Sequence, residues 1–320
     1  MIISILLGIA GLVLLYYGAE FLIRGGVSIA RRFNVSPLLI GLTLVAFGTS
    51  APELVVSIDA TWHGHGDISL GNVIGSNICN IALILGLSAA IAPIPVNKQL
   101  LKLDLWIMLG SAAAFMGFYR ISRGINRWEA AILLLGLLGY TGWRFFHSRR
   151  SGGENPPGGE EIPQRTYPLG AALLLSAGGL AGLIGGAKLL VLSAVAVAKA
   201  MHVPEAVIGL TIVALGTSLP ELATSVVAAF KREHDIAIGN VVGSNIFNIL
   251  CIVGIVPLIR PIDAPGISPV DLWLMLGISA ALLPIMATGM KISRREGILL
   301  LLVYVGYMVY LFQVPGGAQS

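Results

Sequence analysis

Two glutamates stand at matching places in two apolar stretches of the sequence. Glu53 follows Pro52 in the segment GTSAPEL, and Glu221 follows Pro220 in the segment GTSLPEL. A carboxylate inside a membrane helix costs at least about 2.5 kcal/mol and commonly marks a site for ions or protons. A pair of such carboxylates is therefore a candidate cation site.

The residues around each glutamate supply oxygen atoms in a repeated pattern. Proline lacks an amide hydrogen and crowds the carbonyl four residues earlier, so we expect a kink that frees carbonyl oxygens. Ca²⁺ prefers about six to eight oxygen ligands, whereas zinc and copper sites use His or Cys, which are absent here. The matching polar side chains are Thr49, Ser50, Ser76 and Asn80 in the first stretch and Thr217, Ser218, Ser244 and Asn248 in the second.

Both motifs belong to one long internal repeat. Residues 41–86 align with residues 209–254 without a gap, and 26 of the 46 aligned positions are identical. Such self-similarity predicts two related structural halves. We assign residues 1–147 to the first half and 168–320 to the second. Residues 148–167, rich in Gly, Pro, Arg and Glu, are predicted to form a flexible cytoplasmic linker between them.

The composition places both halves in a membrane. The chain of 320 residues is 56% hydrophobic and only 11% charged, which is too apolar for a soluble domain. A helix of about 20 apolar residues crosses the roughly 30 Å hydrocarbon core. We therefore predict an all-α membrane protein with ten transmembrane helices. Their approximate ranges are 2–23, 37–61, 69–94, 103–119, 128–146, 168–198, 205–230, 237–259, 270–289 and 297–313.

The two halves are expected to have opposite orientations in the membrane. Each contains five predicted helices, and this odd number makes the second half an inverted copy of the first. Transporters of this kind bind substrate near the membrane midplane, beside kinked or broken helices.

The basic residues predict which end of the chain faces outward. An external N terminus leaves fourteen basic residues in cytoplasmic connections, Arg144 among them, and five in outer connections. We expect a cell (inner) membrane location. The net charge of +4 is thus explained by topology, and no nucleic acid partner is expected.

The paired GTS-x-PEL and GN-V-x-GSNI-x-NI segments resemble the two alpha-repeats of the calcium/cation antiporter superfamily. They are most similar to the sodium/calcium exchanger branch with its prokaryotic members, and the resemblance covers essentially the whole chain. It implies alternating access, with long first and sixth helices sliding against the other eight. Calcium would bind Glu53, Glu221 and the carbonyls of Thr49 and Thr217. Sodium would use those groups together with Ser50, Ser76, Asn80, Ser218, Ser244, Asn248 and the carbonyls of Ala46 and Ala214.

One position departs from part of that family. Some prokaryotic relatives carry aspartate where this chain has Asn248, so the expected site holds two carboxylates. Two negative charges balance one Ca²⁺, whereas three Na⁺ leave a net charge of +1 that feels the membrane potential. We expect electrogenic exchange of three Na⁺ for one Ca²⁺, with no cofactor. The expected partners are the two ions and the lipid bilayer, without an obligate protein partner.

Three other functions remain open at this point. Buried glutamates also accept protons, so exchange of Ca²⁺ or another cation for H⁺ is the nearest alternative. A cation channel would use similar oxygen atoms but would not need an inverted pair of kinked helices. An intramembrane hydrolase would use Glu53 and Glu221 as acid and base. The two glutamates have identical neighbours, whereas such chemistry needs different surroundings, so we do not expect an enzyme.

Overall fold

The computed structural model describes residues 2–150, 167–201 and 214–313, and helices dominate these ranges. In chain order the helices are α1 (Ile2–Phe33), α2 (Pro37–Thr49), α3 (Ala51–Trp62), α4 (Gly66–Ile91), α5 (Leu100–Ser122), α6 (Arg127–Arg150), α7 (Leu169–Ala200), α8 (Ala214–Gly216), α9 (Leu219–Phe230), α10 (His234–Ile259), α11 (Pro269–Ala287) and α12 (Arg294–Gln313). Helices α2, α4, α5 and α10 each contain a π-helical turn.

The helices lie where the sequence predicts membrane spans. In the described part of the chain, six are long and apolar enough to cross a membrane, or seven if α2 and α3 form one bent span. Helices α6 and α12 occupy the fifth and tenth predicted spans but are not among the six. The beginning of the predicted span 205–230 lies outside the described residues, as does most of the predicted linker 148–167. The protein is an all-α membrane protein.

Two short antiparallel ladders connect the first half of the chain with the second. The strands are β1 (Ile94–Pro95), β2 (Gly124–Ile125), β3 (Ile262–Asp263) and β4 (Lys291–Ile292). Strand β1 pairs with β4, and β2 pairs with β3. Strands β1 and β2 stand at opposite ends of α5, whose 23 residues span about 35 Å at the usual helical rise. The two ladders therefore lie at opposite ends of the helices.

Helices α1 and α7 pack together through small residues. Gly11, Gly18 and Gly25 recur every seventh residue along α1, and Gly179 and Gly186 do the same on α7. A Cβ atom on Gly18 would lie 2.8 Å from the Gly179 carbonyl oxygen, and one on Gly11 would lie 2.9 Å from that of Gly186. The two backbones are thus in direct contact and run antiparallel, as small residues allow in membrane helices.

Arg144 does not lie in a connection, which corrects the topology argument. It is fully buried within α6, and its Nε atom lies 3.1 Å from Oδ1 of Asp104 on α5. Tyr140 donates a hydrogen bond of 2.8 Å to the same carboxylate oxygen. A charged residue inside a membrane protein is expected to pair in this way. Thirteen basic residues, against five, remain for the predicted cytoplasmic connections.

Replacing Gly179 with leucine should force α1 and α7 apart, since even a Cβ atom there would lie 2.5 Å from the Leu22 nitrogen. Overpacking of this kind destabilises a protein, so we expect a melting temperature several degrees lower for the detergent-purified variant. Gly178→Leu is the matched control, because a Cβ atom on Gly178 has no neighbour within 4 Å. Equal melting temperatures for the two variants would contradict the close packing of α1 and α7.

Candidate cation-binding site

Both Pro-Glu motifs lie where a helix breaks. The axes of α2 and α3 differ by 42°. Ser50, between these helices, has φ −81° and ψ 3°, and Ser218, just before α9, has nearly the same values. Pro52 and Pro220 fall in the first turn of the following helix, where a missing amide hydrogen is tolerated. The predicted disruption of the helix by proline is confirmed in both halves.

Each glutamate also lies in the first turn of its helix, α3 for Glu53 and α9 for Glu221. The unpaired amide groups at a helix N terminus carry partial positive charge and favour a nearby anion. The break in the helix therefore places each carboxylate at a favourable end of a helix in an otherwise apolar interior.

Hydrogen bonds cross between the two motifs. The Ser218 hydroxyl donates to Oε1 of Glu53 at 3.0 Å, and the Ser50 hydroxyl donates to Oε1 of Glu221 at 3.1 Å. Each glutamate is thus contacted by the serine that precedes the other glutamate in the repeat. These crossed bonds bring the two carboxylates into one cluster.

The two carboxylates are buried and lack a basic partner. Glu53 and Glu221 are each 1% exposed. In the described ranges, Oε2 of each has no hydrogen-bond partner, and no Lys, Arg or His forms an ion pair with either. Their negative charges repel each other. Because buried charge is costly without compensation, a cation between the two carboxylates would stabilise the site.

More hydroxyl groups lie beside the carboxylates. Ser76 Oγ is 3.5 Å from Oε1 of Glu53. The Thr217 side chain lies next to Glu53, and the Thr49 side chain lies next to Glu221. The two threonine contacts follow the same crossed pattern as the serines. The hydroxyl groups therefore add oxygen atoms around the two carboxylates.

Ala46 and Ala214 are the two alanines of the predicted sodium site. The Ala46 carbonyl accepts hydrogen bonds from the Ser50 amide at 3.0 Å and from the Thr49 hydroxyl at 3.3 Å. Ala214 is the first residue of α8, and its side chain lies outside the described part. The Ala46 carbonyl is therefore engaged locally, at the end of the broken helix.

The remaining predicted ligands are buried but form no hydrogen bond to either carboxylate within the described residues. Asn80 donates to Oδ1 of Asn245 at 3.3 Å. Within the described residues, Ser244 Oγ and both amide atoms of Asn248 have no hydrogen-bond partner, and no hydrogen bond joins Asn80 or Asn248 to a glutamate. Buried polar groups without partners are uncommon and require an explanation such as a bound ion or water.

Two asparagines that sequence reasoning missed hold the glutamate-bearing helices. Asn72 donates to the backbone carbonyl of Glu53 at 3.2 Å, and Asn240 donates to that of Glu221 at 3.3 Å. Both are identical positions in the repeat, and that identity was the available signal. They fix α3 against α4 and α9 against α10, and so position the carboxylates.

Helices α4 and α10 each change to a π-helical turn at the site. The turns cover Cys79–Leu85 and Asn248–Ile252 and contain Asn80 and Asn248. Such turns interrupt the regular backbone hydrogen bonds and are frequent at functional sites. The predicted amide ligands therefore lie on distorted helices, which an apolar stretch of sequence does not reveal.

Comparison with known proteins agrees with this geometry. A sequence model of the family described as "Sodium/calcium exchanger protein" matches residues 3–146 and 171–313. The sodium/calcium exchanger MaX1 of Methanosarcina acetivorans is 34% identical over 98% of this chain and 99% of its own length. The inner membrane protein YrbG of Escherichia coli is 35% identical over 82% of this chain and 81% of its own length.

A solved structure extends the similarity to three dimensions. The sodium-calcium exchanger NCX_Mj, soaked with zero Na⁺ and Ca²⁺, matches with a TM-score of 0.82 at 36% identity. The match covers 97% of this chain and 99% of that one. The resemblance recognised in the two motifs is thereby confirmed, and the chain belongs to the sodium/calcium exchanger family.

Proposed function

We propose that this chain exchanges Na⁺ for Ca²⁺ across a membrane by alternating access, with three Na⁺ for each Ca²⁺. Family membership makes it a cation/calcium antiporter, which is a transporter and not an enzyme. One observation carries the proposal. Glu53 and Glu221 are buried side by side without a basic partner in the described residues, and each is hydrogen-bonded by the other motif's serine.

The ligands of the proposed calcium site come from both motifs. Two carboxylates neutralise one Ca²⁺, and carboxylates with backbone carbonyls are ligands that this ion prefers. The calcium ligands are Glu53, Glu221 and the carbonyls of Thr49 and Thr217. The sodium ligands are those groups together with Ser50, Ser76, Asn80, Ser218, Ser244, Asn248 and the carbonyls of Ala46 and Ala214.

The charge of the site supports both competition and electrogenic exchange. Because both ions need the same two glutamates, they cannot be fully bound together. The amide of Asn248 adds no third negative charge, so three Na⁺ leave a net charge of +1. Moving that charge across the membrane is worth about 2.3 kcal/mol per 100 mV.

The ladders support an architecture of ten helices arranged as two inverted repeats, residues 1–147 and 168–320. Strands β1 and β3 are equivalent in the repeat, being 168 residues apart, yet they lie at opposite ends of α5 because β3 pairs with β2. Equivalent elements at opposite ends are what inversion requires. The linker, 148–167, then connects the halves on the cytoplasmic side.

An unequal covering of α3 and α9 supports alternating access. Helix α1 packs along α9, and Lys231, just beyond α9, donates to Glu20 of α1 at 2.7 Å. The equivalent contact would join α7 to α3, but these two helices touch at very few positions at most. Val55 on α3 is accordingly 65% exposed, whereas Ala223, its equivalent on α9, is partly buried against a cluster that includes residues of α1 and α7. The end at which α3 is less covered is therefore the open end in the proposed transport cycle.

We place the protein in the cell (inner) membrane with its N terminus outside and its linker in the cytoplasm. The excess of basic residues in the predicted cytoplasmic connections supports this orientation. The C-terminal end of α3 then faces the exterior, and the end of α9 near Lys231 faces the cytoplasm. In this orientation the open end is the outer one.

Sodium coupling is tested by radioactive Ca²⁺ uptake into sealed vesicles containing the purified protein. Vesicles loaded with Na⁺ and diluted into Na⁺-free medium should accumulate Ca²⁺, because outward Na⁺ flow drives the exchange. Choline-loaded vesicles should not accumulate it, with or without an imposed proton gradient. Uptake that follows the proton gradient and ignores internal Na⁺ would instead establish H⁺ as the coupling ion.

The Glu53→Gln substitution should reduce exchange by about a hundredfold or more, the scale of removing one partner of a buried charge pair. Its matched control is Asp59→Asn, which neutralises an exposed carboxylate on the same helix. Exchange should be measured in the vesicle assay after equal amounts of folded protein are reconstituted. Full activity of Glu53→Gln, or an equal loss in Asp59→Asn, would contradict the proposed site.

A further inference from the structure

Hydrogen bonds between the two halves are unequal, although the residues that form them are repeated. Asn80 donates to Oδ1 of Asn245 at 3.3 Å. The 168-residue offset relates Asn80 to Asn248 and Asn245 to Asn77, so the equivalent bond would run from Asn248 to Asn77. That bond is absent. Both Nδ2 of Asn248 and Oδ1 of Asn77 are buried without a partner in the described residues.

A second hydrogen bond between the halves is also formed without its equivalent. The Thr49 hydroxyl donates to Oδ1 of Asn240 at 3.1 Å. The equivalent residues are Thr217 and Asn72, but no hydrogen bond joins them in the part of the chain that the structure describes, and the Thr217 side chain lies next to Glu53 instead. In both cases a donor of the first half is bonded to the second half, and the reverse bond is missing.

The missing bonds leave buried groups that another conformation would satisfy. Asn77 and Asn248 are 1% and 0% exposed, and an unpaired buried polar group destabilises the state that contains it. The same state has α1 packed along α9 without an equally extensive packing of α7 on α3. In an inverted-repeat transporter, the opposite access state arises when the two halves exchange their conformations. That exchange would pair Asn248 with Asn77 and release Asn80 from Asn245.

We propose that Asn77 and Asn245 are positioning residues whose hydrogen bonds alternate during transport. Asn80–Asn245 stabilises the state seen here, and Asn248–Asn77 stabilises the state open at the other end. The inference rests on the proposed alternating access. Asn77 and Asn245 are not proposed ion ligands and act by orienting the amides of Asn80 and Asn248. A second alternating set consists of Thr49, Asn240, Thr217 and Asn72.

Each access state forms one of the two equivalent hydrogen bonds and lacks the other. The alternation therefore keeps the two states close in free energy. Removing one bond should therefore shift the populations of the two states by about two- to tenfold, the effect of one buried hydrogen bond. The direction of the population shift depends on which asparagine is replaced. Asn245→Leu removes a bond of the present state, and Asn77→Leu removes a bond of the opposite state.

The test measures these populations with cysteine reporters in sealed vesicles free of transported ions. Val55→Cys reports the present state, since Val55 is exposed, and Ala223→Cys reports the opposite state, since Ala223 is now partly buried against its neighbours. Both are introduced into a chain lacking its two native cysteines. A membrane-impermeant maleimide is applied from each side in turn. Asn245→Leu and Asn77→Leu are the matched variants, with alanine replacements as a second pair where leucine prevents folding.

We expect Asn245→Leu to lower labelling of the residue-55 reporter and raise labelling of the residue-223 reporter, by about two- to tenfold. Asn77→Leu should do the reverse, and the double variant should return close to the parent chain. A merely structural role would not produce opposite shifts that cancel. Shifts in the same direction, unchanged labelling in both variants, or a double variant that does not return would overturn the proposal.

The labelling needs no transport, so it separates this inference from the proposed function. A chain that fails sodium-driven Ca²⁺ uptake can still show the opposite shifts in labelling. A chain that passes the uptake test can still lack them, and then only the alternation of hydrogen bonds is overturned.

Discussion

Two carboxylates buried together without a basic partner in the described residues are the feature on which the rest of the structure depends. Their repulsion and desolvation oppose folding unless nearby dipoles or a bound cation compensate. The protein supplies part of that compensation itself. Serine hydroxyls donate to Glu53 and Glu221 from opposite halves, and each carboxylate lies in the first turn of a helix. In the proposed function, transported cations supply the rest, so the energetic cost of the empty site becomes the source of its affinity.

This arrangement needs both broken helices and close helix contacts. Pro52 and Pro220 fall in the first turns of α3 and α9, and the same turns carry the two carboxylates. Asn72 and Asn240 then hold those helices against their neighbours. Around this core, α1 and α7 touch backbone to backbone through glycines. A pair joined so closely is suited to move as one unit, and its closer packing on α9 than on α3 leaves the two ends of the molecule unequally covered.

Much of the fold and part of the site could be predicted because the chain repeats itself. The repeat revealed the paired Pro-Glu motifs, and the chemistry of proline predicted the break in each helix. The crossing of the hydrogen bonds was not predictable, since a repeat does not say whether Ser218 contacts Glu53 or Glu221. Arg144 was misplaced because its partner, Asp104, lies on another helix. Asn77 and Asn245 were quoted in the motif without a role, because their contacts depend on how the halves meet.

In the proposed function, Glu53 and Glu221 form one site that Ca²⁺ and Na⁺ occupy in turn. Equilibrium binding of radioactive Ca²⁺ to the purified protein, at increasing Na⁺ concentration, tests this most directly. We predict about one high-affinity Ca²⁺ per chain, since two carboxylates balance one such ion. Sodium should displace it completely, with a Hill coefficient above 1, because several Na⁺ replace one Ca²⁺. Calcium that stays bound at saturating Na⁺ would contradict the account.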